Sequence, residues 1–277
     1  MGAYSGSTAL VTGASKGLGE AYARELARRG ADLVLVARSG EALDRVADDI
    51  RREHGVEVET EAVDLAAADG ASRLIAELDR RGRVVDLLVN NAGAGTVGPF
   101  LDSAPDRNVA SVELNVVALM NLTHVLGRRM AARGSGGIIN VGSTAAFQSM
   151  PYQAAYAATK AFVLSFTEAL AEELRGSGVR VMAAHPGATA TGFFDHTTAT
   201  MNPAYTDSPE RVAAKTLDAY AKGAVNAYPG RVIMRVTTWV GRLLPRTTVT
   251  RTTGRLNRAL GLHRAHDLDT PASPARP

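Results

Sequence analysis

Cysteine is absent from the 277-residue chain, which excludes both a disulfide framework and a thiolate metal site. The absence fits a reducing compartment, and a cytoplasmic location is expected. Lysine is scarce: Lys16, Lys160, Lys215 and Lys222 are the only four, and arginine supplies the rest of the 31 basic residues. No run approaches the ~18 consecutive apolar residues of a membrane span. The N-terminal Met-Gly-Ala-Tyr-Ser-Gly-Ser lacks the basic-then-apolar pattern of a secretory leader. The six histidines show no ligand spacing, so no catalytic metal is expected.

Acidic residues are missing from one long stretch. Residues 219–266 carry nine basic side chains and no Asp or Glu, whereas residues 1–218 carry 21 basic against 26 acidic, or −5. The net charge of +3 therefore originates near the C-terminus. There Arg251, Arg255 and Arg258 would share one face of a helix. Such a basic amphipathic segment either lies peripherally on an anionic membrane surface or packs over a cleft with its arginines in water. A nucleic-acid role is not expected, because the rest of the chain is net acidic and no reading motif is present.

The remainder alternates strand and helix patterns. Residues 7–12 form a short apolar run. Gly13-Ala-Ser15-Lys16-Gly17-Leu18-Gly19 follows, and then a helical pattern stopped by Gly30. A glycine-rich turn between a strand and a helix brings backbone N–H groups up to a phosphate. A second strand, Asp32–Ala37, leads into Arg38-Ser39 and a helix over 40–53. An acid at this strand end would hold a ribose 2′-hydroxyl, while an arginine accommodates a 2′-phosphate. Arg38 replaces the acid here and Lys16 adds a second cation, so NADP(H) is expected over NAD(H).

A third strand, Val56–Val63, ends at Asp64-Leu65, and a helix is expected over 66–82. A buried fourth strand, residues 84–90, closes in Asn90-Asn91-Ala92-Gly93. The helix over 106–132 carries Asn115 among apolar residues, where an amide needs a partner. The strand over 136–142 delivers Ser143, and the helix over 154–175 carries Tyr156 and Lys160 one turn apart. The last clear strand, Val179–Ala184, runs into His185-Pro186-Gly187. Residues 188–208, with Phe193, Phe194 and Met201, have the length and place of a lid. A helix from Ser208-Pro209 to Lys222 follows, and Arg231–Met234 is expected as a final strand. This alternation predicts a three-layer α/β fold, a doubly wound parallel sheet of the Rossmann type, over residues 1–236. An extension over 237–264 and a disordered tail over 265–277 complete the expected organisation.

A Tyr-x-x-x-Lys pair alone is weak, since roughly 0.1 such pair is expected by chance at this composition. Together with Thr12-Gly13-x-x-x-Gly17-x-Gly19, Asp64, Asn90-Asn91-Ala92-Gly93, Asn115, Ser143 and Pro186-Gly187 it resembles the short-chain dehydrogenase/reductase family over residues 7–235. The resemblance implies that Asp64 and Leu65 meet the adenine and that Asn90, Ala92 and Gly93 lie beside the cofactor. It implies that Pro186, Gly187, Thr189 and Thr191 reach its nicotinamide or phosphate end, although Thr189 stands where Val or Ile is usual. Tyr156 would be the general acid, Lys160 would depress its pKa and hold the ribose, Ser143 would hold the carbonyl oxygen, and Asn115 would position a water. Tyr152, Phe193 and Phe194 are expected to line the substrate pocket.

The expected activity is interconversion of a hydrophobic ketone or aldehyde with its alcohol, in a homodimer or homotetramer. Two alternatives stand beside it. One is a catalytically weak NADP-binding sensor or scaffold of the same fold. The other is sugar-nucleotide epimerisation, for which the chain after Thr191 is short.

Overall fold

A computed structural model describes residues 4–199, 206–231, 235, 238, 239 and 243–268. Seven parallel strands form one sheet in the order β3-β2-β1-β4-β5-β6-β7. They are β1 (Thr8–Thr12), β2 (Asp32–Ala37), β3 (Val58–Ala62), β4 (Leu87–Asn90), β5 (Gly136–Val141), β6 (Val179–Ala184) and β7 (Asn226–Ala227). The chain winds outward from β1 to β3, then crosses back to β4 beside β1. Strand order reverses there, and ligands of such sheets collect in the crevice at the strand carboxyl ends.

Strand parity sorts the core into two layers, because successive side chains point to opposite faces. Ala9, Val11, Leu33, Leu35, Leu87 and Val89 pack against α1 (Gly17–Arg28), α2 (Gly40–His54) and α7 (Pro209–Ala221). Leu10, Val34, Val36, Leu88 and Ile138 face α3 (Gly70–Arg80) and α5 (Leu119–Arg133), with Leu170 of α6 (Ala154–Glu173) at the margin. The three-layer architecture is the one the alternation predicts.

Boundaries differ from the sequence pattern in places with a physical cause. The third helix starts at Gly70 rather than 66, since residues 64–70 form turns closed by Ala67 N–H to the Asp64 carbonyl and Gly70 N–H to the Ala67 carbonyl. A Cβ at Gly70 would stand 2.2 Å from the Asp64 carbonyl oxygen. The long helix predicted over 106–132 begins with α4 (Pro105–Val112), passes through a π-helical turn at Glu113–Ala118 and continues as α5. The helical stretch Pro105–Arg133 contains an 18-residue window of mean hydropathy 1.5, long and apolar enough by length and composition to cross a membrane. In the fold, however, Leu119, Leu122, Leu126 and Met130 are buried against the sheet. The final strand is Asn226–Ala227, paired with Ala183 and Ala184, and residues 232–234 lie outside the described residues.

The C-terminal region corrects one expectation outright. After α8 (Arg246–Ala259) the chain is ordered through Leu268, with Ala265 and Asp267 buried, so disorder does not begin at residue 265. The reason is tertiary. Thr198 N–H donates to the His266 carbonyl and Leu268 N–H to the His196 carbonyl, each at 2.9 Å. The Asp267 carboxylate pairs with Arg107 at 3.2 Å. The strap thus ties the lid to α4.

Candidate active site

The glycine-rich turn is built for close approach. Gly13 and Gly17 have φ of 68° and 60°, the left-handed region that glycine enters freely. A Cβ at Gly19 would sit 2.0 Å from the Gly13 carbonyl oxygen, and one at Gly17 would press on Thr191 at 3.0 Å. The N-cap of α1 is Lys16, and no side chain caps that end, which leaves first-turn N–H groups free for an anion. Lys16 and Arg38 are exposed, and neither has an ion pair among the described residues. Ser15 and Leu18 lie within the same turn, half-buried. Ser39 accepts from Ala42 N–H at 3.3 Å and so caps α2 beside Arg38. These features fit a dinucleotide phosphate cradle.

Two residues lock the cradle to the fourth strand. Thr12 Oγ1 accepts from the Asn91 and Ala92 amides at 3.0 and 2.9 Å, and Asn91 Nδ2 donates to the Thr12 carbonyl at 3.0 Å. Neither Thr12 nor Asn91 was among the expected cofactor residues, although a hydroxyl just before Gly13 was a legible signal. The Asn90 side chain turns into the core, donating to Thr123 Oγ1 at 3.0 Å and Asn140 Oδ1 at 2.9 Å. Asn140 continues to Thr167. Asp64 Oδ1 accepts from its own turn at Ala66 N–H, 3.0 Å away, and the Leu65 side chain is core. Among the remaining expected positions, Pro186 accepts from Thr144 N–H, Thr189 donates to the Gly187 carbonyl, and Thr191 donates weakly to the Thr189 carbonyl.

Ser143, Tyr156, Lys160, Asn115 and Gly93 converge. The Ser143 side chain neighbours the Tyr156 phenol and favours its ionised form, and Ser143 Oγ accepts from Ala145 N–H at 3.1 Å. Lys160 is 4% exposed and donates to the Val141 carbonyl at 2.8 Å. A Cβ at Gly93 would meet Asn115 Oδ1 at 3.2 Å and Lys160 Nζ at 3.5 Å, so that glycine keeps the space above the lysine open. Asn115 sits in the π turn, 1% exposed, and bonds Ala94, Ser111 and Thr159. Gly95 lies against the Tyr156 ring, where a Cβ would approach to 2.7 Å. Phe193 stacks obliquely on that ring at 5.3 Å. The side chain of Phe194 and all of Met201 lie outside the described residues.

Burial pushes the Tyr156 phenol above its usual value, and the neighbouring Ser143 side chain offsets that only in part. The Lys160 ammonium lies 5.8 Å from the Tyr156 ring centroid and donates to the Val141 carbonyl. Burial pushes Lys160 itself down to about 8. His185 is fully buried, held by Asn226 at 2.9 Å and flanked by Phe147 and Tyr228. It is a packed strand-end residue.

A Ser–Tyr–Lys set at the carboxyl edge of a doubly wound sheet, beside a phosphate cradle, has counterparts among known proteins. Residues 7–202 match the model of the family described as short chain dehydrogenase. The chain belongs to the short chain dehydrogenase family. It is 37% identical over 189 residues to a short chain dehydrogenase of Pseudocercospora fijiensis, covering 68% of this chain and 61% of that one. It is 31% identical over 242 residues to the human very-long-chain 3-oxoacyl-CoA reductase, covering 85% and 77%. Among solved structures, a short-chain dehydrogenase from Sphingobium yanoikuyae in complex with NADPH superposes with a TM-score of 0.76 at 34% identity, covering 80% and 87%. Membership makes this short chain dehydrogenase an oxidoreductase.

Proposed function

We propose that the protein reduces a hydrophobic ketone or aldehyde to its alcohol with NADPH, and runs the reverse reaction with NADP+. The observation that carries the reading is the convergence of Ser143, Tyr156 and a buried Lys160 at the carboxyl edge of the sheet, with the Lys160 ammonium 5.8 Å from the Tyr156 ring centroid. When bound, the cofactor supplies or accepts the hydride. Tyr156 gives its proton to the carbonyl oxygen, a transfer worth about 10²–10⁴ in rate. Ser143 donates to that oxygen as negative charge builds on it. Lys160, with its pKa about 8 and Asn115 beside it, is placed to return a proton to Tyr156 and to hold a ribose hydroxyl. Lys16 and Arg38 are unpaired cations suited to a 2′-phosphate, and the NADPH complex of the Sphingobium relative agrees with that choice.

Phe193 over Tyr156 supports an apolar substrate, and the acyl-CoA substrate named for the human relative is of that kind. Cytoplasmic action as a homodimer or homotetramer belongs to the same proposal. It is supported by the apolar stripe Val109, Val112, Val116 and Met120 on the outer face of α4 and α5, and sedimentation velocity tests it. Contact of the α8 arginines with an anionic membrane is tested by vesicle co-sedimentation. The catalytic reading is tested by following NADPH absorbance over a panel of carbonyl compounds with NADH in parallel. A panel in which every compound is left unreduced would favour the sensor or scaffold, and equal rates with NADH would overturn the role of Arg38 and Lys16.

A further inference from the structure

The acid-free segment is anchored at the rim of the site. Asn257 Nδ2 donates to the Pro151 carbonyl at 2.9 Å, and Arg258 donates through Nε and Nη2 to the Tyr152 hydroxyl at 3.3 and 3.2 Å. Pro151 and Tyr152 lie on the loop between Ser143 and Tyr156. Tyr152 is the one non-glycine residue among those described with a positive φ, 70°. A bulky residue holds that conformation only where its surroundings over-determine it. Here Gly98 N–H binds its carbonyl at 2.9 Å, Arg258 binds its hydroxyl, and the His263 ring stands 6.2 Å away.

Tyr152 is therefore a fixed post that aims a guanidinium at the cleft mouth. Arg258 is exposed and its described partner is neutral, so most of its five donors remain available to an anion. Arg251 and Arg255 share its helical face and have no hydrogen bond or ion pair among the described residues. The strap's described carboxylate, Asp267, is buried and already paired with Arg107. Tyr152 and Tyr156 are four positions apart in the chain, at most about 14 Å of contour.

We propose that Arg258, backed by Arg255 and Arg251, forms an anion subsite at the mouth of the cleft. The substrate is then an apolar carbonyl compound bearing a carboxylate, phosphate or sulfate on the order of 10 Å from the reacting carbon. The substrate part of this proposal rests on the carbonyl-reductase reading above.

The test uses the full-length protein loaded with NADPH. Decanoate and decan-1-ol are titrated by calorimetry, and turnover of 9-oxodecanoate is compared with that of its methyl ester. Decanoate is expected to bind about ten- to a hundredfold tighter than the alcohol, the range for a charge-assisted pair. Arg258→Gln should erase the preference and Arg258→Lys should keep most of it, while added salt weakens only decanoate. Equal affinity for the two ligands, or a preference untouched when Arg251, Arg255 and Arg258 are all glutamine, overturns the subsite. Binding to anionic vesicles without a decanoate preference also overturns it and assigns the arginines to a membrane surface. If decanoate is preferred but neither 9-oxodecanoate nor its ester consumes NADPH, the subsite stands and the carbonyl-reductase reading fails.

Discussion

Asn115 and Ala94 are joined by a two-way amide lock: Asn115 Oδ1 accepts from the Ala94 N–H at 2.9 Å, and Asn115 Nδ2 donates to the Ala94 carbonyl at 2.7 Å. The π turn at Glu113–Ala118 carries this side chain, and such turns recur at functional sites. The lock fixes the strand-end loop over Lys160. Asn115→Leu would orphan the Ala94 N–H, while the Ala94 carbonyl keeps Ser111 Oγ and the Thr159 hydroxyl keeps the Tyr156 carbonyl. It should cost about 1–3 kcal/mol, the range for one buried group left unpaired, and should lower kcat. Thermal denaturation alongside NADPH turnover checks both effects.

Tyr156→Phe removes the proton donor and leaves the ring where it packs on Gly95 and Phe193. Reduction should fall by at least ~10² while NADPH binding, read by fluorescence titration, persists. Because burial holds the phenol above its usual pKa, the acid form persists across neutral pH. Wild-type reduction should stay level there, and oxidation, which needs the phenolate, should climb as pH rises.

Lys160 is buried at the expense of the fold. Its pKa falls from 10.5 to about 8 on burial, so between those values the unfolded chain binds more protons than the folded one. Wild-type stability should therefore rise with pH across that window. Lys160→Met removes a burial cost of ~3 kcal/mol and loses the Val141 hydrogen bond, worth ~1 kcal/mol. The variant should be inactive yet more stable by about 2 kcal/mol at pH 7, and the gap should close toward pH 10. Urea denaturation at several pH values measures it.

Arg38→Asp places an acid where a ribose 2′-hydroxyl would bind. The KM for NADPH should rise by about ten- to a hundredfold as one charge-assisted contact is lost, and the KM for NADH should fall. Steady-state kinetics with both cofactors decide the matter, and an unchanged ratio would clear Arg38 of the role.

Asp267→Ala frees Arg107 and one end of the strap. The pair is partly buried, with Asp267 at 3% and Arg107 at 33% side-chain exposure. Limited proteolysis should then cut faster within the lid near His196–Thr198, whose backbone is hydrogen-bonded to the strap, while NADPH affinity stays as in the wild type.

The doubly wound sheet was legible because its evidence is local: apolar runs, helical periodicity and glycine stops. The inward turn of Asn90 was legible too, had strand parity been followed. Asn90 shares a face with Leu88, which belongs to the layer of α5 and α6, and Thr123 and Thr167 on those helices complete the ladder. The π turn leaves no mark in composition, since Glu113–Ala118 reads as ordinary helix. The raised Tyr156 pKa comes from burial, which spacing along a helix does not fix. The strap was missed because a Pro- and Ala-rich ending was extended back to residue 265, whereas burial of Ala265 and Asp267 is decided by a lid and a helix distant in sequence.

That strap separates two kinds of change. Ser143, Tyr156 and Lys160 sit at the end of β5 and on α6, braced by the core, while the segment that follows β6 is held by a few backbone hydrogen bonds just beyond the end of α8. Substitutions in this late stretch can retune which molecules are admitted without disturbing the chemistry. Relatives sharing Ser143, Tyr156 and Lys160 are thus free to diverge in diet through a short peripheral segment.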